Sequence, residues 1–176
     1  MNLPNTLSLI RLCLVPVFAW AYFLPQPNAH LWAALVYAAA FVTDIADGYI
    51  ARRFDLVTKL GRILDPLADK LMTLTVITCV TADGILPIWA VVVFFCKEAA
   101  MGLGGLYLYR QIKDMPPSNW LGKTSTGVFF VVLGILVLFP ISRPWATGLI
   151  TLALALAVGA LLRYAVQCFH LVKETP

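Results

Sequence analysis

Asp44-Ile45-Ala46-Asp47-Gly48-Tyr49-Ile50-Ala51-Arg52, followed after eight residues by Gly61-Arg62-Ile63-Leu64-Asp65-Pro66-Leu67-Ala68-Asp69, sets two pairs of aspartates in a chain that is 61% hydrophobic and only 12% charged. An ionised carboxylate at the bilayer centre costs roughly 2.5 to 3.5 kcal/mol on insertion scales, so four of them close together need strong compensation. A divalent cation supplies it, and the spacing points to a membrane-embedded, metal-dependent site. Asp47 follows Asp44 by three positions and precedes Ala51 by four, so all three share a helix face, with Gly48 and Arg52 on the neighbouring stripe. Asp65 and Asp69, four apart, project from one face of the next helix. If the intervening segment folds these helices into an antiparallel hairpin, the four carboxylates converge.

Hard oxygen ligands of this kind suit Mg²⁺ or Mn²⁺, and no cluster of Cys or His argues for zinc. Four carboxylates exceed what one Mg²⁺ usually takes from protein, which implies two ions bridged by shared aspartates, an arrangement that serves phosphoryl chemistry. Gly48 and Ala51 are small enough for a substrate or a neighbouring helix to approach the backbone. Arg52 is a charge-assisted donor suited to a phosphate. A purely structural alternative pairs Asp44 or Asp47 with Arg52 or Lys70 as intramembrane salt bridges. Four aspartates at two helical spacings, with a small-residue stripe between them, argue against it.

Outward from this motif, the apolar residues come in long runs rather than amphipathic stripes, as in an integral membrane protein. About 20 residues are needed per span, and the chain of 176 residues accommodates six, near 7–24, 31–52, 61–82, 86–109, 120–139 and 145–169. The breaks carry turn chemistry: Pro25-Gln26-Pro27-Asn28, Asp83-Gly84, Pro116-Pro117-Ser118-Asn119, and Pro140 with Pro144. The expected fold is therefore all-α, with six transmembrane helices and a short interfacial segment at residues 1–5, after which Asn5 or Thr6 caps the first span. The whole chain, 1–176, reads as a single membrane domain without internal repeats. No cleavable signal peptide is expected, because the opening lacks a basic n-region and its apolar run is too long.

Arg52, Arg53, Lys59 and Arg62 flank the second-to-third connection, and Arg110, Lys113 and Lys123 the fourth-to-fifth, whereas the opposite side has only Arg143. The positive-inside rule then places both termini and the aspartates on the cytoplasmic side of the cell membrane. The net charge of +4 describes a basic face suited to anionic headgroups and phosphates. Without a soluble basic domain, nucleic acid is not an expected partner. Cys13, Cys79, Cys96 and Cys168 stand singly in apolar spans and read as packing residues. His30 and His170 read as interfacial, and Trp20, Trp32, Trp89, Trp120 and Trp145 as aromatic-belt anchors. Gly102, Gly104 and Gly105 lie within an apolar span, where close helix packing is favoured over a phosphate loop.

The pattern Asp44-x-x-Asp47-Gly48-x-x-Ala51-Arg52, eight residues, Gly61-x-x-x-Asp65-x-x-x-Asp69 resembles the complete signature of the CDP-alcohol phosphatidyltransferase family. The resemblance extends from the opening at Asn5 to Arg11 through the fifth span. It implies a six-helix membrane fold, a homodimer, and a polar cavity open to the cytoplasm. There an alcohol attacks the β-phosphate of CDP-diacylglycerol and releases CMP. It further implies that Asp44, Asp47, Asp65 and Asp69 are metal ligands and that Asp69 is also the general base. Spacing alone does not choose Asp69 over Asp65 for that role. Gly48, Ala51, Arg52 and Gly61 would line the CDP site, and Asn5 and Arg11 are assigned to the nucleotide or headgroup.

Within the family, Leu64-Asp65-Pro66-Leu67-Ala68-Asp69-Lys70 and Trp120-Leu121-Gly122-Lys123 are similar to the bacterial phosphatidylglycerophosphate synthases and the related cardiolipin synthases. That favours glycerol 3-phosphate as acceptor, with Lys97, Arg110 and Lys123 as candidates to hold it. Two departures bear on the acceptor. Ser125 stands where that branch commonly has a second Lys, and Lys97-Glu98 replaces a common Arg-Glu; Lys is not equivalent to Arg at a bidentate site. Lys97 lies near mid-span, so it must pair or face a polar cavity; Glu98, the adjacent residue, is an imperfect partner on a helix. The nearest rival is cardiolipin synthesis with phosphatidylglycerol as acceptor. A divalent-cation transporter would leave Arg52 without a role, and a non-catalytic lipid-binding protein would tolerate Asp69→Asn.

Overall fold

A computed structural model describes residues 3–53, 61–112 and 120–174, with side chains at 6–46, 48, 61, 64–105 and 120–167. Six helices follow one another: α1 Leu3–Tyr22, α2 Ala29–Arg53, α3 Gly61–Ala82, α4 Ile88–Ile112, α5 Trp120–Leu138 and α6 Arg143–Glu174. The expected breaks hold where described. Gly84 takes a positive φ of 77° in the turn after α3, the conformation for which glycine has no steric penalty. Pro144 occupies the first turn of α6, where no intrahelical N–H is needed, and the Ala146 N–H bonds to the Ser142 carbonyl at 3.0 Å.

Two limits differ most from expectation. The first helix begins at Leu3 rather than at an Asn5 or Thr6 cap, so residues 3–5 form its first turn; Pro4 is compatible with that position because its missing N–H would have no helical partner. The last helix runs on to Glu174, past the expected 169. Within the apolar spans several hydroxyls bond back to their own helix, as in Thr43 to the Ala40 carbonyl at 2.7 Å and Thr151 to the Thr147 carbonyl at 2.6 Å. This satisfies groups that have no water to turn to.

Contacts sort the chain into two compact units, Met1–Asp83 with Gly134–Pro140, and Gly84–Leu133 with Ile141–Pro176. In the first, α1 packs extensively against both α2 and α3, while α2 and α3 touch each other little. Buried alanines Ala33, Ala40 and Ala68 leave room for close helix approach. Phe18 fills the centre, its ring 5.9 Å from Tyr22 and 6.1 Å from Tyr37. In the second unit α4 packs against α6, and Phe94 stacks on Phe129 with ring centroids 5.1 Å apart.

Among the described residues, Ala29–Ala46, Ile88–Gly105, Trp120–Leu138 and Arg143–Gln167 are long and apolar enough to cross a membrane, and Thr6–Tyr22 is a shorter apolar helix. The start of α3 carries Arg62, Asp65, Asp69 and Lys70, which leaves only its later part apolar. Trp20, Trp32, Trp89, Trp120 and Trp145 are all exposed, as are Leu35, Val92, Phe95 and Leu152. Apolar surface of this extent suits lipid as solvent, and the chain is an all-α integral membrane protein. Two packing expectations are corrected. Among the described residues, a Cβ at Gly102 or Gly104 would meet nothing within 4 Å, so these glycines mark no close helix contact there. Cys79 is buried as expected, but Cys13 and Cys96 are exposed, because each falls on the outward side of its helix.

Candidate functional site

The charged end of the first unit is organised by α1. Ser8 and Arg11 are three positions apart and therefore on one helix face. The Ser8 hydroxyl donates to Oδ1 of Asp65 on α3. Arg11 Nη1 donates to Oδ1 of Asp44 on α2 at 2.5 Å. One face of the first helix thus holds an aspartate from each half of the motif. The segment that would join α2 and α3 as a hairpin lies outside the described residues, and among those described both aspartates are contacted from α1.

Burial shows why the contacts form. Ser8 and Arg11 are 1% and 2% exposed, and a buried guanidinium must be paired with an anion or its desolvation is uncompensated. Asp44 supplies that anion while its side chain remains 44% exposed. The carboxylate therefore links a buried cation on one side to open space on the other. Arg11 is expected at the nucleotide or headgroup, and Ser8 lies outside the signature. The available signal was a lone arginine within an apolar span, which needs a partner.

Asp69, four residues beyond Asp65 on α3, has its Oδ2 3.8 Å from Lys70 Nζ, and both side chains are partly exposed. Lys70, which the salt-bridge alternative set against Asp44 or Asp47, has an ion pair with Asp69; Asp47's side chain lies outside the described residues. Gly61 is buried as the first residue of α3, and Gly48 is partly buried in α2. Asp47, Ala51 and Arg52 belong to the helical stretch of α2, and Asn5 to α1, but their side chains lie outside the described residues; so does that of Arg110.

Among the described residues no three Asp, Glu, His or Cys side chains form a group able to hold one ion, so Asp44, Asp65 and Asp69 do not do so by themselves. Their chemistry nevertheless fits a hard divalent cation. The donors are carboxylate oxygens, Asp44 and Asp65 are each engaged through Oδ1, and each carboxylate has a second oxygen.

In the second unit, Lys97 forms an ion pair with Glu98 despite their adjacency, and its Nζ lies 5.4 Å from the Phe94 ring centroid. Both side chains of the pair are largely buried, at 12% and 16% exposed, so proximity in a poorly solvated place outweighs their unfavourable helical spacing. Lys123 is exposed near the start of α5. Ser125 is buried, and its hydroxyl donates to the Gly122 carbonyl at 2.9 Å.

Comparison with known proteins agrees with the motif. The family model for CDP-alcohol phosphatidyltransferase matches residues 1–161. A Streptomyces coelicolor protein named cardiolipin synthase (CMP-forming) is 39% identical, the match covering 72% of this chain and 60% of that protein. A Bacillus subtilis CDP-diacylglycerol--glycerol-3-phosphate 3-phosphatidyltransferase is 33% identical, covering 78% of this chain and 77% of its own. A Rickettsia bellii protein of the same name is 34% identical, covering 78% and 75%.

Proposed function

This chain belongs to the CDP-alcohol phosphatidyltransferase family, and from that premise we propose that it transfers a phosphatidyl group from CDP-diacylglycerol to glycerol 3-phosphate, releasing CMP and forming phosphatidylglycerophosphate. The observation that carries this reading is the gathering of Asp44 and Asp65, one from each half of the signature, onto a single face of α1. The Bacillus and Rickettsia relatives are named for the same acceptor.

In the reaction, Asp69 accepts the proton of the acceptor hydroxyl, and that oxygen bonds to the β-phosphorus as the phosphorus–oxygen bond to CMP breaks. Asp69 suits the task because its carboxylate is partly exposed, with Oδ2 3.8 Å from Lys70 Nζ. Its oxygen must come within about 2.6 to 3.2 Å of the hydroxyl, directly or through one water. Asp44, Asp47, Asp65 and Asp69 hold two Mg²⁺ or Mn²⁺ ions, whose chemistry is to neutralise phosphate oxygens and the charge developing on the leaving group. Arg52, with Gly48, Ala51, Gly61 and Asn5, binds the CDP moiety. The basic connections support an orientation with this end at the cytoplasmic face of the cell membrane, and the proposed working form is a homodimer.

A second acceptor reading has its own support. Lys97 is already paired with Glu98, and Ser125 bonds to its own helix, so two positions suited to an acceptor phosphate carry no free cation. Phosphatidylglycerol, giving cardiolipin, needs no such cation, and the Streptomyces relative bears that name. The test is CMP release from CDP-diacylglycerol by the purified protein with Mg²⁺ or Mn²⁺, offering glycerol 3-phosphate and phosphatidylglycerol separately. Release with glycerol 3-phosphate, abolished by EDTA and by Asp69→Asn, supports the first reading. Release with phosphatidylglycerol alone replaces it with the second.

A further inference from the structure

We propose that Ser8 and Arg11 are positioning residues for the metal site: from one face of α1 they hold Asp65 and Asp44 by one oxygen each, so that the carboxylates are set before the cation arrives. The inference rests on the metal reading given above. It goes beyond the signature, since neither residue belongs to it.

Three observations carry it. The two donors sit one helical turn apart and are almost fully buried, so α1 offers them at a fixed separation. Their acceptors come from two different helices that, among the described residues, each pack far more against α1 than against one another, so α1 relates Asp44 to Asp65. The Arg11–Asp44 pair is also asymmetric, with a buried cation and a carboxylate 44% exposed. An ion pair serving the fold alone would gain by burying both partners, whereas this one leaves one side of Asp44 open. Carboxylates that ligate metals are ordinarily oriented by such outer hydrogen bonds, and losing one costs about 10- to 100-fold in metal affinity.

The positive charge of Arg11 also offsets the mutual repulsion of the aspartates before any cation binds. Once a cation binds, the same charge repels it, but the fixed geometry outweighs that repulsion if Arg11 is a positioning residue. The two roles make opposite predictions for affinity, which makes the variant informative.

The experiment is Mn²⁺ binding by the purified full chain in lipid nanodiscs, followed by electron paramagnetic resonance of the free ion, with thermal unfolding measured in parallel. Arg11→Gln and Ser8→Ala are each expected to weaken Mn²⁺ binding by about 10- to 100-fold, and Ser8→Thr, which keeps the hydroxyl, to restore it. Ser8→Ala removes a single oxygen, so it remains informative if Arg11→Gln does not fold. Unchanged or tighter binding in folded Ser8→Ala or Arg11→Gln, or equal weakening by Ser8→Thr and Ser8→Ala, overturns the inference while leaving the metal site standing. Equal binding by the unaltered chain and Asp65→Asn removes the metal assignment itself, and the inference with it.

Discussion

Arg11 and Asp44 form an ion pair between α1 and α2 in which the arginine side chain is 2% exposed and the aspartate 44%. Removing the anion takes a countercharge away from a buried guanidinium. Asp44→Asn keeps an acceptor oxygen but not the countercharge, so it should lower stability by roughly 3 kcal/mol, the low end for breaking a buried pair because Asp44 is partly solvated. Unfolding in detergent, followed by the accessibility of buried Cys79 to a thiol reagent, measures it. A loss no greater than that of Asp69→Asn would show that Arg11 finds another counterion.

Asp69 gives the complementary case. Its closest described cation is Lys70 at 3.8 Å, with both side chains partly exposed, and such pairs contribute at most about 1 kcal/mol. Asp69→Asn, which keeps the side chain's shape and an acceptor oxygen, should unfold near the unaltered chain yet lose about 10²- to 10⁴-fold in CMP release, the usual contribution of a general base. Retained turnover would move the base to another residue, with Asp65 the first to test.

The difference between these two aspartates shows what periodicity conveys and what it does not. Helical spacing in the signature placed Asp44 and Asp47 on one face and Asp65 and Asp69 on another, and runs of apolar residues broken by Asp83-Gly84 or Pro25 marked the helix ends well. Spacing is a property within one helix. It says nothing of which helix stands opposite, so Ser8 and Asp65, 57 residues apart, could not be paired from it, nor could α1 be read as the element between α2 and α3. Gly102 and Gly104 fail for the same reason: small residues permit close packing, but a partner helix must be there to use them.

Packing gives a third prediction. Phe18 is fully buried between Tyr22 and Tyr37, whereas Trp20, two residues on, is 68% exposed. Lipid can replace the contacts of an outward tryptophan, but a cavity inside the helix packing loses its dispersion contacts outright. Phe18→Ala should cost about 3 to 5 kcal/mol, and Trp20→Ala much less, by the same unfolding measurement. Equal losses would mean that Trp20 is covered by another protein surface.

Lys97 and Glu98 allow the acceptor question to be put to a double-mutant cycle. Both are largely buried and paired, so Lys97→Met or Glu98→Gln alone removes one partner of a buried ion pair, at a cost of roughly 3 to 5 kcal/mol. The double variant Lys97→Met with Glu98→Gln removes both charges and should recover most of that stability. Kinetics then separate the roles. If the pair is structural, the double variant keeps the KM for glycerol 3-phosphate. If Lys97 leaves Glu98 to hold the acceptor phosphate, that KM rises about tenfold or more in both Lys97 variants, about 1.4 kcal/mol of lost binding, while the KM for CDP-diacylglycerol stays the same. The closed pair favours the first outcome, because an acceptor must displace Glu98 before it can reach the ammonium.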